Sequence, residues 1–150
     1  MKNINLISTT FLAAALTLIG SAHARDTKYL LSIATALEQK EAKNRLDGSV
    51  KFFFGDQATP AVVAKLGTDV TNLKTNAVGR SDERACNWVF LSAMIALEKR
   101  AKQLGANAVI NIVSYYKKEV MSSATEFECH AGAVIAGVAL RGEFVKIAAE

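Results

Sequence analysis

From Ser81 to Gly105 the chain carries one unbroken helical pattern with a stop at each end, and the rest of the fold has to be arranged around it. Ser81 is suited to the N-cap, and Asp82 and Glu83 place negative charge in the first turn, where the helix dipole favours it. Apolar or small residues recur at Cys86, Val89, Phe90, Ala93, Leu97, Ala101 and Leu104, and Gly105 fits the left-handed position that ends a helix. The pattern predicts a helix over 82–104. At about 100° per residue that stripe takes one side, and Trp88, Leu91 and Ile95 fall on the opposite one. A helix lying on a sheet should be polar there. Either the segment 27–46 folds over this second stripe, or the stripe is a contact for another subunit or partner.

Strand patterns flank the helix. Val50, Phe52 and Phe54 alternate with Lys51 and Phe53 before Gly55-Asp56, and residues 70–78 read as a second strand interrupted by Asn72 and Asn76. After Gly105, Ala108 to Tyr116 is β-branched and aromatic, Lys117 to Ala124 is a polar connection, and Thr125 to Leu140 reads as one long Gly/Ala-rich strand. Gly142 is expected to break that strand before the tail Phe144-Val145-Lys146-Ile147. Leu30, Ile33, Ala34 and Leu37, spaced by three and four, predict one or two short helices within 27–46, ending near Asp47-Gly48. The stretch 56–69 holds the chain's only proline and is expected to be turns, with a helical turn from Pro60 to Leu66. The architecture that follows is α+β: a three- or four-stranded, mostly antiparallel sheet covered by the helix 82–104.

The first 24 residues point to export. Lys2 is a positive start, Leu6 to Gly20 is an apolar run broken only by small hydroxyl residues, and Ser21-Ala22-His23-Ala24 supplies an Ala-x-Ala cleavage site before Arg25. The run falls short of the roughly 20 apolar residues that span a bilayer, and no cysteine near the cleavage site could accept a lipid. Cleavage after Ala24 leaves 25–150 as one domain, periplasmic or secreted, with no membrane anchor. Such a domain is long enough to bury a single core, and no linker or internal repeat divides it. Loss of Lys2 takes the formal net charge of +4 down to +3. The cations Lys99, Arg100 and Lys102 gather at the end of the predicted helix, where they complement its dipole, and the others are scattered, so nucleic acid is not expected as a partner.

Two cysteines in an exported chain point to a single bridge, Cys86 to Cys129. It would close a 43-residue loop, for which chain entropy suggests about 4 kcal/mol of stabilisation. The rivals are a free thiol pair or a metal site of Cys86, Cys129 and His130, which lacks a fourth ligand and any CxxC or HxxxH spacing.

The run Leu104-Gly105-Ala106-Asn107-Ala108-Val109, leading from a long helix into a strand and then a hairpin to a Gly/Ala-rich strand, resembles the YbjQ-type family named for heavy-metal binding. It is also similar to the periplasmic domain of the lipoprotein that senses envelope stress for the Rcs phosphorelay. These likenesses cover roughly residues 70–140 and imply a fold; the YbjQ-type proteins further imply ring-forming homo-oligomers, and the stress sensor an interaction role. Along most of the segment after residue 24 the chain resembles small exported bacterial proteins that carry an automated "excinuclease ATPase subunit" label.

Chemistry tests that label. A P-loop needs GxxxxGK[ST] to wrap amides round phosphates, and no Gly-Lys pair occurs in the chain. A Ser-His-acid set would have to use His130, which has no G-x-S-x-G elbow to serve, and a Cys-His pair would need a free cysteine. Glu126 and Glu128 share a strand face, where paired carboxylates are usually solvated. The expectation is a non-catalytic periplasmic binding or interaction module without cofactor, whose partner is another protein or a second copy. A metal- or small-ligand-binding protein is the alternative, and a hydrolase a remote third.

Overall fold

A computed structural model describes residues 24–148; the leader 1–24 read from the sequence lies outside the described residues, apart from Ala24 at its end. The elements are β1 (Thr27–Ser32), α1 (Ile33–Glu38), α2 (Lys40–Arg45), β2 (Lys51–Phe54), β3 (Val62–Asn76), α3 (Asp82–Leu104), β4 (Ala108–Ser114), β5 (Glu126–Ala131) and β6 (Ile135–Ile147), with a short 3-10 turn at Tyr116–Lys118. The fold is α+β: a curled, mostly antiparallel sheet packed on α3.

Strand β6 is the spine of the sheet. β3 pairs with it from Val62↔Ile147 to Asn76↔Ile135, while its other edge is shared, first by β5 at Ala136 and Gly137 and then by β4 from Leu140 to Val145. β1 extends the sheet beyond β5, and β2 extends it beyond β4 in the one parallel pairing among the described strands. The register slips between Ile110 and Val113 and twice near the start of β3. Such bulges increase local twist and curl a sheet. At the first of them Asn111 adopts φ 50, a conformation Asn tolerates better than most residues, and its Nδ2 donates to Glu143 Oε1 at 3.0 Å.

Helix α3 forms as its sequence dictates. Ser81 Oγ accepts from the Arg84 amide, and Gly105, at φ 71, returns its N–H to the last turn. The inner stripe meets the concave face of the sheet: Val89, Phe90, Ala93, Met94 and Leu97 are wholly buried with Phe127, Val138, Leu140 and Phe144. Phe90 stacks on Phe127 with ring centroids 4.0 Å apart. Each such side chain contributes about 1.5–3 kcal/mol relative to exposure. Cys86 on α3 is bonded to Cys129 on β5, Cα to Cα 5.8 Å, so the first turns of the helix are fixed over that strand. The bond leaves no free cysteine among the described residues and removes both sulfurs from any metal site with His130.

Five expectations are corrected. Among the described residues the sheet has six strands rather than three or four. Residues 27–32 are strand, not helix: Tyr29 and Leu31 turn inward while Leu30 is exposed, and the helical spacing begins only where Ser32 Oγ caps α1 through the Thr35 amide. The expected helical turn from Pro60 to Leu66 is instead the start of β3, which runs 15 residues with Pro60 just before it. Thr125 to Leu140 is two strands joined by a turn at 132–134, and Gly142 continues β6 instead of ending it. Its missing side chain matters for packing: a Cβ there would stand 2.5 Å from Val109 Cγ1.

Candidate functional site

Alternation along β5 sends Phe127, Cys129 and Ala131 into the core and turns Glu128 and His130 to the other face of the sheet. There His130 lies between two carboxylates. Its Nδ1 is 2.9 Å from Asp26 Oδ1 and its Nε2 is 2.7 Å from Glu128 Oε1. Both ring nitrogens thus face a carboxylate oxygen at hydrogen-bonding distance. Tyr116 stacks on the imidazole with centroids 3.5 Å apart and donates its hydroxyl to Asp26 Oδ2 at 3.1 Å. Lys28 completes the far side at 2.8 Å from Glu128 Oε2.

Burial alone would push both carboxyls up. For Asp26 the hydrogen bonds from His130 and Tyr116 and the charge of Lys117 outweigh it, and for Glu128 those of Lys28 and His130 do, so both are held below the usual carboxylate range. The Tyr116 hydroxyl is pushed up by burial and by its bond to Asp26. Every polar group of this cluster is thus engaged by another, and neither imidazole nitrogen is left to take a proton from a nucleophile. A groove of about 350 Å³ is lined by Asp26, Tyr116 and His130 of this cluster together with Lys74, Ile135 and Gly137.

The second stripe of α3 behaves differently. Leu91 is 5% exposed, Ile95 is partly buried and Trp88 is 36% exposed. The segment following β1 runs along this side of the helix: the Arg45 guanidinium sits 5.0 Å from the centre of the Trp88 ring, and the Asp47 amide donates to Glu98 Oε1 at 3.2 Å. Lys102 bridges Asp47 and Glu98, which holds the Asp47 carboxyl well below its ordinary value, while burial pushes Glu98 up. Between α2 and the first half of α3 this leaves a cavity of about 350 Å³. Trp88 and Leu91 form its apolar wall, and Gln39, Glu41, Arg80, Arg84 and Asn87 its polar one.

Gln39, Glu41, Arg80 and Arg84 are exposed and Asn87 is buried, and none of the five side chains makes a hydrogen bond or ion pair with any described residue. Asn87 is the informative one, because it is only 8% exposed. Its amide atoms are not sealed from solvent, and the cavity they line is where the polar atoms of a ligand can reach them. The arrangement can present two guanidiniums, a carboxylate and two amides to a molecule small enough to enter.

The residues singled out in sequence therefore divide. Cys86 and Cys129 are joined, Trp88 and Leu91 share a cavity wall, and Ile95 does not line it. Glu126 and Glu128 share a strand face, yet only Glu128 joins the histidine. Asp26, Lys28, Tyr116 and the cavity's polar residues were not singled out. Part of the cavity was readable, since Arg84, Asn87, Trp88 and Leu91 follow the i, i+3, i+4, i+7 spacing of one helix face. No family model, curated protein or solved structure matches the chain.

Proposed function

We propose that residues 25–150 form an exported, soluble, non-catalytic binding module of an oxidising compartment, and that the cavity between α2 and α3 is where it binds. The observation that carries this reading is the contrast between the two polar clusters. The histidine cluster spends its donors and acceptors on itself, whereas five polar side chains around the cavity have no partner. Catalysis needs a proton acceptor free to act, and binding needs polar groups held in readiness.

Export is supported by the leader pattern and by the disulfide, a bond that persists in oxidising compartments. Arg25, the first residue after the expected cleavage, is already part of the fold through its two-pronged pair with Asp82. Among the described residues no helix is long and apolar enough to cross a membrane. The YbjQ-type resemblance agrees with a helix passing through Leu104-Gly105-Ala106-Asn107 into β4, and it supports a binding or assembly role over an enzymatic one.

The test is to incubate the purified 25–150 protein with a small-molecule extract of the periplasm and analyse both by mass spectrometry. A binding module predicts a compound retained by the folded protein and released unchanged on denaturation. An enzyme predicts compounds consumed and new masses formed in the extract, which would overturn the reading.

A further inference from the structure

The chemistry of the cavity wall narrows what can occupy it, and the argument rests on the binding-module reading. Arg80, just before the Ser81 cap, and Arg84, in the first turns of α3, both line the cavity, and neither guanidinium has a carboxylate partner among the described residues. A guanidinium presents paired N–H groups that match the two oxygens of a planar oxyanion. The nearly buried Asn87 amide offers a further donor and acceptor with nothing in the fold to meet them. Beside these groups lies an apolar surface, Leu91 and the ring of Trp88, suited to a hydrophobic body. Glu41 faces the same space from α2, and its charge disfavours a second negative group on the occupant. The volume, about 350 Å³, is that of a small-molecule pocket.

We propose that this cavity binds a small organic monocarboxylate with an aromatic or aliphatic body. The carboxylate lies on Arg80 and Arg84, Asn87 completes its hydrogen bonds on the polar part of the ligand, and the body packs on Trp88 and Leu91. Inorganic anions lack the body, and neutral aromatics lack the group that the arginines select.

The chain's single tryptophan is the reporter, because Trp88 is part of the cavity wall. Its fluorescence is followed while the 25–150 protein is titrated with 3-phenylpropionate, with the uncharged counterpart 3-phenylpropan-1-ol, and with inorganic phosphate. The acid should give a saturable change, and the alcohol and phosphate should bind at least tenfold more weakly. The double variant Arg80→Gln/Arg84→Gln, whose folding is checked by circular dichroism, should lose at least tenfold in affinity for the acid and respond to the alcohol as the parent does. Equal binding of acid and alcohol would overturn the carboxylate assignment while leaving a binding cavity in place. Phosphate binding as tightly as the acid would overturn the apolar body. No response to any of the three would overturn the proposal, and a ligand recovered from the extract would still keep the binding-module reading.

Discussion

Gly132 carries no side chain because a Cβ there would stand 2.6 Å from the Arg25 carbonyl oxygen. The same residue accepts a hydrogen bond from the Arg25 side chain through its own carbonyl, so the start of the domain is seated on the turn between β5 and β6. Gly132→Ala should lower stability by about 1–3 kcal/mol, the usual cost of forcing extra volume into a packed contact. Urea unfolding checks this, with Gly137→Ala as the control, since a Cβ at Gly137 meets nothing closer than 3.6 Å. Asp82 holds the same segment from the other side. It receives both Arg25 nitrogens and the Tyr29 hydroxyl, and these bonds lower its pKa from 3.8 to about 2. A carboxyl whose folded pKa lies below its unfolded one adds stability that is complete above the unfolded value and fades as pH falls through the folded one. Asp26, Asp47 and Glu128 are shifted in the same sense, and Glu98 opposes them. The urea midpoint should therefore fall between about pH 4 and about pH 2, and Asp82→Asn should flatten that fall. A midpoint constant through that window would contradict the network.

At the scale of elements, α3 has two faces with different duties, and truncation distinguishes them. Leu91→Ala removes a side chain that is almost wholly covered and should cost about 2–4 kcal/mol, whereas Trp88→Ala, at the half-open rim, should cost about 1 kcal/mol or less. Urea unfolding reads both, and equal losses would mean that the stripe is uniform core. The extent of α3 was legible because caps and periodicity agreed at both ends. The first strand was not, because Leu30, Ile33, Ala34 and Leu37 carry helical spacing across the boundary at Ser32, and only pairing with β5 makes 27–32 extended. β3 hid its first half because only Ala64 and Leu66 turn inward there, and in part, while Pro60 and Gly67 read as punctuation. Gly142 read as a strand end for the same reason, although its task is to let β4 pass close. Of the candidate site, the helical face of the cavity was visible in spacing. Gln39 and Glu41 reach it only through the fold of α2, and Asp26 meets His130 across a separation of 104 residues that no local pattern records.

At the scale of the molecule, one covalent bond joins the helix to the sheet. Because Cys86 and Cys129 close a 43-residue loop, reduction should lower stability by about 4 kcal/mol on the chain-entropy model. Unfolding with and without reductant measures it, and an unchanged midpoint would mean that the bond plays no part in holding the fold. The account's central claim is a division of labour: the histidine cluster holds the structure together, and the α2–α3 cavity binds. Amide chemical-shift mapping tests that division most directly, with the isotopically labelled 25–150 protein titrated with the compound recovered from the periplasmic extract. The account predicts that the amides of Gln39, Glu41 and Arg80 to Leu91 move together and saturate, while Asp26, Lys74, Tyr116 and His130 stay in place. Shifts centred on His130, Lys74 and Ile135, with the cavity residues unmoved, would contradict it.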